Sequence, residues 1–286
     1  MESPVTPRLQ ILTAALLFST GGAAIKYCSL TSWQVASFRS GIAAVTVFLL
    51  MPASRRFWHP RALAVGAAYA ATMILFVTGN KQTTAANTIF LQSTAPLYML
   101  LLSPWLLRES IHPRDVGFMA LLAVGMGALF LGTTSPTATA PNPPMGNLLA
   151  ALSGVTWALT IVGLRWMGRS QGENAPSAGS AVVAGNVIAF VTCLPWALPV
   201  GGGRPSDGLT LVYLGVFQIG LAYLSLTAGV RKVKALDVVL LLLLEPVLNP
   251  LWAWIVQGEA PSGWSFVGGA VILAGTLAKA LIPPGK

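Results

Sequence analysis

The chain has 286 residues, of which 17 are basic and 8 acidic. That is 9% charged against roughly 25% in a soluble domain, with 55% hydrophobic residues and a mean hydropathy of +0.72. So few charges cannot cover a surface that faces water, which excludes a cytoplasmic enzyme, a coiled coil and a disordered chain. A net charge of +9 does not imply a nucleic-acid partner, because the basic residues are scattered through short loops.

A bilayer core takes about 20 apolar residues of helix. Ten such segments follow one another, at approximately 8–27, 33–52, 61–79, 84–105, 114–132, 146–166, 178–198, 207–229, 236–256 and 264–282. None shows strand alternation, so the expected class is an all-α integral membrane protein. The first segment is too long for a signal-peptide core and no small-residue cleavage site precedes a soluble chain, so it stays as a helix. It ends near Lys26, for which snorkelling to the interface is the simplest account. The second carries Arg39 about one and a half turns in, deep enough to bind a substrate carboxylate or to hold the bundle together through Glu245 or backbone carbonyls. Tyr69 lies in the third, and Asn87, Gln92, Pro96 and Tyr98 in the fourth. After the fifth comes a Thr/Pro-rich linker, 132–145, which is the longest polar stretch and leaves no room for a nucleotide-binding or catalytic domain.

Trp157 sits within the sixth segment, Asn186 in the seventh, and Gln218 and Tyr223 in the eighth. The ninth holds Glu245, the one acidic side chain in the middle of a span, followed by Pro246 and by Asn249-Pro250. A mid-membrane carboxylate should face a cavity or a partner. Glu245 reads as a ligand for a substrate ammonium, as a proton site, or as a group that satisfies freed backbone and pins the ninth helix. Trp33, Trp58, Trp105, Trp196 and Trp264 fall at span ends, as interface anchors do. Gly66 with Ala70, Gly125 with Gly127, and Gly268, Gly269 and Gly275 suit close helix packing. Cys28 and Cys193 have no metal-like spacing and read as apolar core residues, although a disulfide between them stays open.

The basic residues give an orientation. Arg8, Arg55, Arg56, Arg61, Arg108, Arg114, Arg165, Arg169, Arg231, Lys232, Lys234, Lys279 and Lys286 fall on one side, and only Lys81 and Arg204 on the other. Thirteen against two places both termini in the cytoplasm. A shift of 150 residues superimposes 85–131 on 235–281 without a gap, matching Pro96 to Pro246, Glu109 to Glu259 and Gly125 to Gly275. A shift of 139 sets Phe18 on Trp157 and Lys26 on Arg165. The chain therefore divides into a first five-helix repeat, 1–134, an external linker, 135–144, and a second repeat, 145–286. An odd number of spans per repeat makes the second half inverted, the plan of carriers with a site at the midplane.

Each half opens with an aromatic residue and a basic one eight positions later (Phe18 and Lys26, Trp157 and Arg165). Each closes with a proline and a glutamate: Ala95-Pro96 to Arg108-Glu109, and Glu245-Pro246 to Gly258-Glu259. This pattern resembles the drug/metabolite transporter superfamily, in particular its ten-helix EamA-type exporters, and within them exporters of aromatic amino acids. Arg108 stands where those proteins usually have Gly, and Phe18 where the first half usually has Trp. The resemblance implies a secondary transporter that exports amino acids, aromatic and other neutral ones, across the bacterial inner membrane by alternating access. Drugs or other small metabolites such as cationic amphiphiles are the alternative cargo, and an intramembrane enzyme acting on lipid-linked substrates is a remote one. Trp157, Tyr98, Tyr223, Arg39, Glu245, Gln218 and Asn87 are the expected cavity residues, with Pro96 and Pro246 as helix breaks for gating. No catalytic residue, cofactor or metal is expected. GxSxG, HExxH, Walker and CxxC patterns are missing, and His59 and His112 fall in loops. The expected partners are a small-molecule substrate and the lipid bilayer.

Overall fold

A computed structural model describes residues 5–106, 113–132, 135–168, 175–230, 232–233 and 235–281, and among these every regular element is helical. The sequence features at Arg108, Glu109, His112, Arg169, Arg231, Lys234 and Lys286 lie outside the described residues.

In chain order, α1 (Val5–Ser19) and α2 (Gly21–Tyr27) form one rod interrupted at Thr20. There the Ser19 and Thr20 hydroxyls turn back to donate to the Leu16 and Leu17 carbonyls. α3 (Ser32–Leu50) starts on a capping box in which Thr31 and Gln34 exchange side-chain and backbone bonds. α4 (Pro60–Gln82) begins with proline at its first position, where no N–H is missed. The expected fourth span is not continuous. It divides into α5 (Ala85–Gln92), capped by Thr84, and α6 (Ala95–Leu106), with Ser93 and Thr94 between them. Pro96 accounts for the division, since it has no N–H to donate to the Gln92 carbonyl and its ring crowds that carbonyl.

The chain continues with α7 (Pro113–Leu131), α8 (Pro143–Gly168) and α9 (Ala178–Ala197). α10 (Pro205–Val212) runs into nine residues of π-helical geometry, Tyr213–Leu221, and then α11 (Ala222–Val230). α12 (Ala235–Leu242) and α13 (Leu244–Gln257) are separated by Leu243, 150 positions after Ser93. α13 ends at Gly258, whose φ of 68° is left-handed and suits glycine. α14 (Gly263–Leu281) completes the described elements.

Among the described residues seven stretches are long and apolar enough to cross a membrane: Thr6–Tyr27, Ser32–Leu50, Pro60–Gln82, Pro143–Gly168, Ala178–Ala197, Pro205–Val230 and Leu240–Gln257. Asp115–Leu131 and Gly263–Lys279 are shorter apolar helices. α4 packs on α8 and α9, α3 on α9 and the π-helical stretch, α1 on α11 and α13, and α7 on α14. Glycines set some of these contacts. A Cβ on Gly66 would lie 2.8 Å from the Ala184 Cβ, and one on Gly268 would lie 2.7 Å from the Gly125 carbonyl oxygen. Gly127 is no packing residue, because a Cβ there meets nothing within 4 Å. All five end-of-span tryptophans are exposed among other exposed apolar side chains, a surface suited to lipid.

Two ends of the bundle can be told apart. At the linker end, Asn142 N–H donates to the Gln82 carbonyl and Gln34 donates to the Ala197 carbonyl. At the opposite end, Arg8 pairs with Asp237 at 2.8 Å, Lys279 pairs with Asp115, and Arg61 lies over Trp166.

Candidate functional site

Between the halves lies a cavity of about 130 Å³, lined by Phe18, Arg39, Tyr69, Met73, Phe76, Gln92, Trp157, Gln218, Ile219, Tyr223, Leu226, Leu242 and Glu245. The broken helices position much of it. Phe18 precedes the interruption at Thr20, Gln92 ends α5, Leu242 ends α12 and Glu245 lies in the first turn of α13. The π-helical stretch contributes Gln218 and Ile219.

Arg39 is only 1% exposed, yet among the described residues its polar contact is a terminal N–H to the Met73 sulfur at 3.4 Å, and its Nε has no partner there. Glu245 reaches the same cavity from the other half and makes no ion pair or hydrogen bond with Arg39. The expected bridge between them does not form, so Arg39 does not hold the halves together through Glu245. A buried guanidinium without a carboxylate costs several kcal/mol, a cost that an anionic ligand group would remove. Aromatic rings share the cavity with these charges. Phe18 and Tyr69 each meet Tyr223 edge to face, with centroids at 5.2 and 5.9 Å. Trp157 lines the same space.

Arg39, Trp157, Gln218, Tyr223 and Glu245 thus come together, whereas Tyr98 and Asn87 are outside the lining. The Tyr98 hydroxyl points to the Met126 sulfur at 3.4 Å. Asn87 belongs to a buried polar network at the linker end, donating to Asn147 at 3.1 Å and accepting from Ser265 at 2.6 Å. Pro96 and Pro246 also lie off the cavity wall, each just after an interruption. Met73, Phe76, Ile219, Leu226 and Leu242 carry no signal that sets them apart from other apolar span residues. Cys28 and Cys193 are both free and buried.

Lys26 does not snorkel. Its side chain is 2% exposed and pairs at 2.9 Å with Glu259, itself 6% exposed. The ammonium also donates to the Thr83 and Thr139 carbonyls, and the other Glu259 oxygen accepts from the Ala85 N–H at the start of α5. Lys26 lies eight residues beyond Phe18 along the same rod, about 12 Å toward the linker end. The pair therefore joins α2, α4, α5, the linker and the end of α13 across that end of the cavity.

The sequence model of the EamA-like transporter family matches residues 7–132 and again 144–279. A protein of Bacillus subtilis described as the uncharacterized transporter YwfM is 27% identical over 284 residues, covering 96% of this chain and 94% of that one. The aromatic amino acid exporter YddG of Ancylobacter novellus is 26% identical over 187 residues, 65% of this chain and 64% of its own length. An uncharacterized transporter of Methanothermobacter thermautotrophicus is 25% identical over 205 residues, 71% of this chain and 58% of its own. The matches thus span less than two thirds of these last two relatives. A protein crystal structure shares the fold with a TM-score of 0.62 at 21% identity, covering 98% of each chain.

Proposed function

We propose, from the premise that this chain belongs to the EamA-like transporter family, that it is a secondary transporter exporting amino acids, aromatic and other neutral ones, by alternating access. The observation that carries this reading is the buried, uncompensated Arg39 sharing a ring-lined cavity with Glu245. An α-amino acid brings a carboxylate for the first, an ammonium for the second and, when aromatic, a ring to lie among Phe18, Tyr69, Trp157 and Tyr223. In this reading Gln218 orients the polar end, and the loosened helices beside Pro96 and Pro246 allow the walls to move.

Ten spans in two inverted five-helix repeats, 1–134 and 145–286 about the linker 135–144, are part of the proposal. Two family matches support it, as do interruptions at Ser93 and Leu243 that fall 150 residues apart. So does the packing. α4 with α8 mirrors α11 with α1, while α3 with α9 and α7 with α14 mirror themselves. Residence in the bacterial inner membrane with cytoplasmic termini is supported by Arg8, Arg55, Arg56, Arg61, Arg165 and Lys279, which crowd the end away from the linker. Alternation would then require Lys26 and Glu259 to separate whenever the linker end opens.

A second cargo, a cationic amphiphile, is favoured by Glu245 beside the Phe18, Tyr69 and Tyr223 rings, but it would leave Arg39 uncompensated. Proteoliposomes containing only this protein test both. Radiolabelled tryptophan should leave them faster than from empty vesicles and be competed by phenylalanine. Flux equal to empty vesicles, or competition by a lipophilic cation and not by phenylalanine, would count against amino acid export.

A further inference from the structure

On the outer surface of the bundle, separate from the central cavity, a groove of about 460 Å³ runs along the seam of α2, α10 and α13. Thr20, Ala24, Leu209, Tyr213, Trp252 and Val256 line it, with Tyr27 at one end. Its polar atoms are already occupied. The Thr20 and Tyr213 hydroxyls bond to each other at 2.8 Å, and the Trp252 indole N–H donates to the Ser19 hydroxyl at 2.9 Å. What is left for an occupant is hydrocarbon wall, seven residues or about 10 Å deep from Tyr27 to Thr20. A polar cargo gains nothing there, whereas an acyl chain does.

The rim at Tyr27 has the opposite character. Arg204, with a half-exposed side chain, lies over the Tyr27 ring at 5.2 Å and donates to the Tyr27 carbonyl. Lys81 donates to the next carbonyl, that of Cys28. Among the described residues the acid beside Arg204 is Asp207, 3.9 Å from its guanidinium, and the Asp207 oxygens are taken by the Ser29 N–H, the Ser29 hydroxyl and the Arg204 N–H. Two cations against one saturated carboxylate leave a positive charge at the mouth of an apolar groove.

We propose that this groove is a binding site for an anionic phospholipid, with one acyl chain between α2, α10 and α13 and the headgroup phosphate on Arg204. The purified full chain, titrated by native mass spectrometry with phosphatidylglycerol and with phosphatidylcholine of the same acyl chains, tests it. Wild type should take the first phosphatidylglycerol about tenfold more tightly than phosphatidylcholine, whose phosphate is the same but whose choline cation cancels the net charge that the two basic side chains attract. Arg204→Gln should collapse that preference to about twofold or less, and Arg204→Lys, which keeps the charge, should retain most of it. Val256→Trp, at an exposed position on the groove wall, should weaken both lipids. Equal affinity for the two lipids in wild type, or an undiminished preference in Arg204→Gln, overturns the headgroup assignment. Unchanged binding in Val256→Trp overturns the acyl seat. Glycerol phosphate binding as tightly as the lipid would make this a free-phosphate site, and a dimer lost on Val256→Trp would make it an interface between copies. Either result overturns the proposal.

Discussion

Replacing Glu259 with glutamine removes the charge that neutralises Lys26 and leaves the ammonium among the Thr83 and Thr139 carbonyls. Both partners are almost fully buried, so the loss is that of a broken buried pair, about 3–5 kcal/mol. That penalty applies only while the linker end is closed, because separation lets water reach Lys26. The equilibrium should therefore move toward a linker-open state by roughly two to three and a half decades. Accessibility reads this directly. In a background with Cys28 and Cys193 replaced by serine, a cysteine at Gln92 reports from the cavity wall. A membrane-impermeant maleimide applied from the linker side should label it at least about tenfold faster in Glu259→Gln than with Glu259 intact. Removing both charges, Lys26→Met with Glu259→Gln, leaves no unpaired ammonium and should slow labelling again. Equal labelling rates with and without Glu259 would refute the idea that this pair holds the end closed. So would labelling of the folded double variant as fast as that of Glu259→Gln.

Arg39→Gln should lower tryptophan affinity by about 10- to 100-fold, the loss of a charge-assisted bond, while tryptamine, which lacks the carboxylate, should bind within about twofold of wild type. Competition binding to purified protein measures both. Gly66→Leu, which would drive a side chain against Ala184 and the Gly185 backbone, should destabilise the bundle by about 1–3 kcal/mol, whereas Gly127→Ala should leave the detergent melting temperature unchanged. Asp207→Asn removes the charge that accepts from Ser29 and caps α10, and should lower the same melting temperature by the equivalent of about 1–2 kcal/mol.

The membrane-crossing stretches could be read from sequence because length and apolar content are local properties. Interruptions were only partly readable. Pro96 and Pro246 announce the ones before them, but the one at Thr20 depends on hydroxyls that cap carbonyls of their own turn. Arg39, Trp157, Gln218, Tyr223 and Glu245 stand out because polar and large ring side chains are scarce inside spans, and they do meet. Which face of a uniformly apolar helix turns inward leaves no such mark, so Met73, Phe76 and Leu242 could not be separated from lipid-facing neighbours. The same ambiguity covers Tyr98 and Asn87, which lie outside the lining of this cavity. Lys26 gave its depth but not its partner, since Glu259 is brought to it only by the packing of α13 against α2 and α5.

The π-helical run Tyr213–Leu221 makes the apolar stretch Pro205–Val230 sensitive to residue count. A π-turn holds about one residue more than an α-turn, so this segment stores surplus chain without a bulging loop. Deleting one residue there would let the run tighten into ordinary α-helix while both ends stayed anchored. Residues after it would keep their facing and hold Tyr223 and Leu226 on the cavity wall, whereas Gln218 and Ile219, inside the run, would change theirs by a fraction of a turn. The pocket's composition on this side is thus encoded partly as a number of residues. A homologue or chimera that keeps every lining side chain but has one residue fewer in this stretch would present a different wall to the cargo.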